Sequence, residues 1–161
     1  MISMDEQKAQ QVWSRVMNVS APCPAKDGTE GAQLSAETVA ALTQAEWQDA
    51  ATYRTLAARA PKCARERLLC LAEEERCHAR QLGALYFLMT GKKLCPEPVK
   101  PVCTACFNET IRQRYQAELA GQAQYQALAA RAGERRCTFE ALAADEGRHA
   151  QLLYCLLQQT L

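Results

Sequence analysis

Four stretches of the chain place apolar residues three and four positions apart, the stride that lays one stripe along an α-helix. From Lys62 to Thr90 the stripe runs Leu68, Leu71, Glu75, His78, Leu82, Leu85, Met89. From Glu134 to Thr160 it runs Phe139, Leu142, Glu146, His149, Leu153, Leu156, Thr160. Two further stretches, Ser35 to Ala60 and Cys106 to Ala132, carry Leu42, Glu46, Tyr53, Leu56 and Ile111, Glu118, Tyr125, Leu128 on one face. The pattern predicts four long helices, each with a single buried seam. Six seam positions are Glu or His where a plain core would have leucine.

The breaks between stripes set the predicted boundaries. Ser35 is placed to cap the first helix, Pro61 ends it, and Gly91 stops the second. Gly133 separates the third from the fourth. The connector from Gly91 to Ala105 contains Pro96, Pro98 and Pro101, which exclude regular helix. Joints of a few residues make the first and second helices, and the third and fourth, antiparallel pairs. The middle connector, extended, reaches roughly 40–45 Å, the length of a 26-residue helix at about 39 Å. It can therefore cross the whole bundle. Ahead of these, Met4 to Asn18 is expected to form a short amphipathic helix, and Ser20 to Gln33 a linker. Residues 1–33 are thus read as an N-terminal helix and linker, and 34–161 as one all-α four-helix bundle.

The two pairs repeat each other. Glu46 to Ala60 aligns with Glu118 to Ala132 at a shift of 72, with eight of 15 positions identical. After the loss of one residue in the second joint, Leu71-Ala72, Glu75 and His78-Ala79 match Leu142-Ala143, Glu146 and His149-Ala150. Two copies suit a pseudo-twofold bundle closing on a central site.

Composition agrees with the helical reading and narrows the function. The chain is 161 residues and 48% hydrophobic, led by Ala and Leu over β-branched residues. A net charge of +1 with interleaved signs offers no nucleic-acid surface. The polar start, Met1 to Gln11, lacks an apolar core for a secretion signal, and no apolar run is long enough to span a membrane. A cytoplasmic protein is expected. Nine cysteines, an odd number placed mostly on helices, point to reduced thiols rather than a disulfide framework. Cys63, Cys70 and Cys77 form a stripe off the buried seam, suited to small packing against a partner subunit. Cys103 and Cys106, with Cys95 and Cys23 as further ligands, are a minor candidate for a second metal or redox site.

The candidate chemistry lies on the seams. The only two histidines occur in Glu75-Arg76-Cys77-His78 and Glu146-Gly147-Arg148-His149, each with one Glu on the preceding helix, Glu46 and Glu118. Four buried carboxylates at one level repel one another and cost heavily unless paired or bound to metal. Two divalent cations offset their charge, and carboxylates with one imidazole per ion suit iron or manganese. Glu75 and Glu146 are the expected bridges. Tyr53 and Tyr125, seven residues after Glu46 and Glu118, are candidates to orient a ligand carboxylate across the bundle. Glu73, Glu74 and Asp145 are read as a solvated face.

Glu46-x6-Tyr53, Glu75-x-x-His78, Glu118-x6-Tyr125 and Glu146-x-x-His149 resemble the di-iron domain of the rubrerythrin family, in the ferritin-like superfamily, over about Leu34 to Leu161. The resemblance implies a ferritin-like bundle with a long crossover and two iron ions, held by Glu46, Glu75, His78, Glu118, Glu146 and His149. It implies two-electron reduction of hydrogen peroxide, or oxygen, in oxidative stress. With 12 residues after His149 and no rubredoxin-like module of the family's kind, an external donor such as a rubredoxin-like protein is expected. A homodimer is expected as well. The family's additional Glu one turn from the third-helix ligand has no counterpart, the neighbours of Glu118 being Tyr115, Gly121 and Gln122. A ferroxidase or iron-handling role and a non-enzymatic metal-binding bundle are the alternative readings.

Overall fold

The computed structural model describes residues 34–100 and 106–161. The expected helix at Met4 to Asn18, its linker, Cys23 and Cys103 lie outside the described residues. Within them the chain is all-helical, with no strand: α1 (Ala36–Arg59), α2 (Lys62–Thr90), α3 (Phe107–Ala129) and α4 (Arg136–Thr160). No helix among the described residues is long and apolar enough to cross a membrane.

Local chemistry accounts for the ends. The Ser35 hydroxyl accepts from the Thr38 amide at 3.1 Å, satisfying one of the first free N–H groups of α1. Pro61 has no N–H to lose, and its carbonyl opens α2 by accepting from Ala64 and Arg65. Gly91 ends α2 in the left-handed region at φ 69°, where a side chain would be strained. The third and fourth helices are shorter than the sequence pattern predicts. Cys106 is extended and caps α3 rather than joining it. Beyond Ala129 the amides of Arg131 and Ala132 bond three residues back, and Gly133 at φ 56° turns the chain into a tight 3-10 turn, Gly133–Arg135. α4 therefore starts at Arg136, not Glu134.

α1 packs along α2 and α3 along α4. The segment after α2 lies on α1. Gln44 donates to the Glu97 carbonyl at 3.2 Å and accepts from its amide at 2.8 Å. Gln48 does the same to Lys100, at 3.1 and 2.9 Å. Each glutamine amide completes the backbone bonding of one residue in a Pro-punctuated segment that has no ladder of its own. Because Glu97 meets Gln44 and Lys100 meets Gln48, the connector follows α1 in the direction of α1.

The core is split in two. One apolar half contains Val39, Leu42, Leu82, Leu85, Leu128, Phe139 and Leu142. The other contains Leu56, Leu68, Leu71, Ile111, Leu153 and Leu156. All four helices contribute to both, and each fully buried leucine contributes about 1.5–3 kcal/mol. Between the halves lie the buried residues Glu46, Glu75, His78, Glu118, Glu146 and His149. Tyr125 belongs to the first half and Tyr53 to the second.

Amide exchange tests the grip on the connector. The Glu97 and Lys100 amides should exchange more slowly than that of Val99. Gln44→Ala with Gln48→Ala should erase this protection while costing only about 1 kcal/mol per lost bond. Unchanged protection in the double variant would show that something else holds the segment.

Candidate metal centre

The i,i+3 spacing on α2 and α4 puts each Glu and its His on one face, pointing into the layer between the apolar halves. α1 and α3 supply Glu46 and Glu118 opposite them. Ligand atoms of Glu46, Glu75, His78 and Glu146 all lie within 4.8 Å of one another. Those of Glu75, Glu118, Glu146 and His149 do the same. Glu75 and Glu146 belong to both groups, while each remaining Glu and His belongs to one.

The imidazoles share an orientation. Nδ1 of His78 faces inward, 3.0 Å from Glu75 Oε2, 3.4 Å from Glu146 Oε1 and 3.5 Å from Glu46 Oε2. Nδ1 of His149 lies 2.9 Å from Glu75 Oε1 and 3.5 Å from Glu118 Oε2. These close approaches at His149 are not aligned as hydrogen bonds. Glu75 Oε1, Glu118 Oε2, Glu146 Oε1 and His149 Nδ1 are buried without a hydrogen-bond partner. Such orphaned atoms are costly, and here they face one another. Converging carboxylate oxygens and imidazole nitrogens fit a divalent metal ion, with iron or manganese compatible with the donor set.

Further residues hold this set from outside. Tyr53 on α1 donates its hydroxyl to Glu118 Oε1 on α3, and Tyr125 on α3 donates to Glu46 Oε1 on α1. In both cases Oε1 is engaged and Oε2 is left facing the histidine. Across the other diagonal, His78 Nε2 meets Asp145 Oδ2 at 3.2 Å, and His149 Nε2 meets Glu74 Oε2 at 2.7 Å. A carboxylate at Nε2 keeps that nitrogen protonated, so the neutral ring would carry its Nδ1 lone pair inward. Glu74 and Asp145 are therefore not merely a solvated face, as the sequence pattern predicts. Their signal was present: an acid immediately precedes the ligand Glu in both copies. Arg148 spans the two, 2.5 Å from Asp145 and 3.6 Å from Glu74.

The sequence pattern does not pair Arg114 with Asp49. The Arg114 guanidinium lies 2.7 Å from Asp49, 3.3 Å from Glu118 Oε1 and 3.4 Å from the Tyr53 hydroxyl, and it packs over the Tyr53 ring. On α3 and α4 the packing is tight. A Cβ on Gly121 would sit 3.2 Å from Glu146 Oε2, and one on Gly147 would sit 2.5 Å from the Gln122 amide nitrogen. Gly121 thus leaves space that the Glu146 carboxylate occupies.

The cluster balances its charge with protons. Burial pushes Glu46 up to about 7 and Glu146 up to about 9. Burial also works against ionised Glu75, but the His149 and His78 rings outweigh it and hold this carboxyl well below the ordinary range. Glu118 is lowered in spite of burial, through His149 and Glu146. Burial disfavours the charged rings, yet the surrounding carboxylates prevail, raising His149 to about 11 and His78 higher still.

The cysteines stand apart from this centre. Cys63, Cys70, Cys77, Cys95 and Cys106 are exposed free thiols, and Cys155 is a half-buried one. Neither Cys95 nor Cys106 joins a metal-binding group among the described residues. Cys137 is disulfide-bonded, so the expectation of reduced thiols throughout does not hold. No family model, curated protein or solved structure matches the chain.

The raised groups set the pH dependence. Glu46, Glu146, His78 and His149 bind more protons folded than unfolded above their ordinary values, so each loses stabilisation as pH rises through its folded value. The metal-free protein should melt at progressively lower temperature from pH 5 to 10. Metal binding should show the opposite trend, tightening with pH and releasing protons near pH 7. Proton release in weakly buffered solution, followed with melting curves, checks both.

Proposed function

We propose that this chain is a ferritin-like, rubrerythrin-like oxidoreductase that holds two iron ions and reduces hydrogen peroxide, or oxygen, with electrons from an external donor. The observation that carries the reading is the sharing of Glu75 and Glu146 between two overlapping ligand groups. One ion alone would not use both histidines, which serve opposite groups. In the proposed architecture α1–α2 and α3–α4 are antiparallel hairpins joined by a crossover. The short joints and the course of the connector along α1 support it.

When bound, two iron ions supply two electrons and Lewis acidity for cleaving an O–O bond. The chain's own contribution is positional. Glu75 and Glu146, common to both groups, would be shared between the two ions, while Glu46 with His78 and Glu118 with His149 would hold one ion each. Tyr53 and Tyr125 hold the Oε1 atoms of the terminal glutamates, fixing which oxygen faces the ion. Glu74 and Asp145 hold the imidazoles in the tautomer that leaves Nδ1 free to ligate. The apolar halves above and below the layer keep bulk water from the oxygens and strengthen every electrostatic interaction within it. The raised carboxyls of Glu46 and Glu146 give up their protons when ions bind, and those protons must leave the layer.

Anaerobic loading with ferrous iron, followed by metal analysis, should give two ions per chain. His78→Ala or His149→Ala should lower this to one or none, and full retention of two ions in either variant would sink the assignment. Mixing the reduced protein with peroxide and with oxygen then tests the reaction. Faster oxidation by peroxide is expected, whereas preference for oxygen together with assembly into a large hollow particle would favour iron handling instead. Tyr53→Phe and Tyr125→Phe should each weaken metal binding by about 10–100-fold, read by titration against a competing chelator.

A further inference from the structure

The repeat that builds the centre is broken at two positions that touch it. At a shift of 72, Arg114 corresponds to Leu42 and Asp49 to Gly121. The six ligands and both tyrosines have true counterparts, and Glu74 is matched by another acid, Asp145. The Arg114–Asp49 pair has none. Leu42 is an apolar core residue, 5% exposed, one turn before Glu46. Arg114, one turn before Glu118, puts a guanidinium in the same place with its side chain only 16% exposed.

The consequence falls on one carboxylate. Glu46 Oε1 receives the Tyr125 hydroxyl. Glu118 Oε1 receives the Tyr53 hydroxyl and, at 3.3 Å, Arg114 as well. The guanidinium withdraws electron density from Glu118 and opposes a second cation on the same carboxylate. Asp49 neutralises Arg114, but the pair is a dipole whose positive end faces Glu118. In a buried layer such a dipole is poorly screened.

We propose that Arg114, with Asp49 as its counter-ion, makes the two metal positions unequal, so that the Glu46–His78 position binds its ion more tightly than the Glu118–His149 position. Arg114 is a positioning residue here, acting through Glu118. This rests on the reading that the cluster holds two divalent ions, and deepens it by assigning an order of filling. The positions share Glu75 and Glu146, so the difference must come from the terminal ligands and what touches them.

Cobalt(II) titration of the full-length chain, followed by its visible absorption with a competing chelator, tests the proposal. The natural sequence should bind two ions in two steps, with constants separated by roughly tenfold beyond the statistical factor. His149→Ala, which keeps the Glu46–His78 position, should bind cobalt roughly tenfold more tightly than His78→Ala, which keeps the other. Arg114→Leu with Asp49→Gly installs the residues of the repeat mates and removes both charges together, leaving no orphaned buried ion. In that variant the gap between the two steps should narrow, to what repulsion between the ions alone imposes, whereas Arg114→Lys, which retains the charge, should keep it. Equal steps in the natural sequence, tighter binding by His78→Ala, or an unchanged gap in a folded double variant would overturn the proposal while leaving the two-ion reading intact. Failure of the natural sequence to bind cobalt at all would overturn both. Should the double variant not fold, by its helical circular dichroism, the titration of the natural sequence decides alone.

Discussion

Burying four carboxylates at one level of a helical core is the constraint on which the rest of this structure depends. Each carboxylate is stripped of water, and their mutual repulsion grows as the surroundings become less polar. The chain meets this with groups that neutralise or bond every one of them. Two histidines approach Glu75 from opposite sides. Two tyrosines take one oxygen each of Glu46 and Glu118. Protons retained on Glu46 and Glu146 remove the remaining excess of negative charge. The oxygens left without partners are those facing the centre of the layer.

The same constraint couples the two helix pairs. α1 packs on α2 and α3 on α4. The tyrosine bonds run between α1 and α3, and the histidine–acid bonds run between α2 and α4. Each pair thus completes the polar requirements of the other, in a nearly reciprocal pattern that follows the internal repeat. The apolar halves on either side supply most of the burial, and the polar layer sets the register in which they meet. A shift of one pair along the other would leave several buried polar atoms unsatisfied, which is more costly than a change in leucine packing.

Much of this was legible because it is local. The 3-4 stride of Leu68, Leu71, Leu82 and Leu85 states which face of α2 is buried, and Glu75 and His78 fall on that face by arithmetic alone. Ser35, Pro61 and Gly91 mark their boundaries through their own backbone chemistry. Cys106 and Glu134 lie outside the regular helices because helix ends depend on where the chain must go next: Cys106 is extended ahead of α3, and the 3-10 turn from Gly133 moves the start of α4 to Arg136. Glu74 and Asp145 were misjudged for a related reason. On their own helices they lie off the seam beside solvent, and only the opposite helix brings an imidazole to them. Arg114 and Asp49 differ from their repeat mates, Leu42 and Gly121, but a single Arg and a single Asp on different helices carry no periodicity that would pair them.

The amino-acid sequence by itself determined the four helices, their buried seams and the six polar residues on them, because helical geometry converts spacing into direction without reference to any other part of the chain. It also determined the repeat, and with it the expectation of a centre built from two similar halves. Only the tertiary structure decided which oxygen faces which nitrogen, which outer acid holds which ring, and that Arg114 meets Asp49 beside Glu118. Those features depend on distances of a few ångströms between helices, and such distances are set by the packing of all four at once.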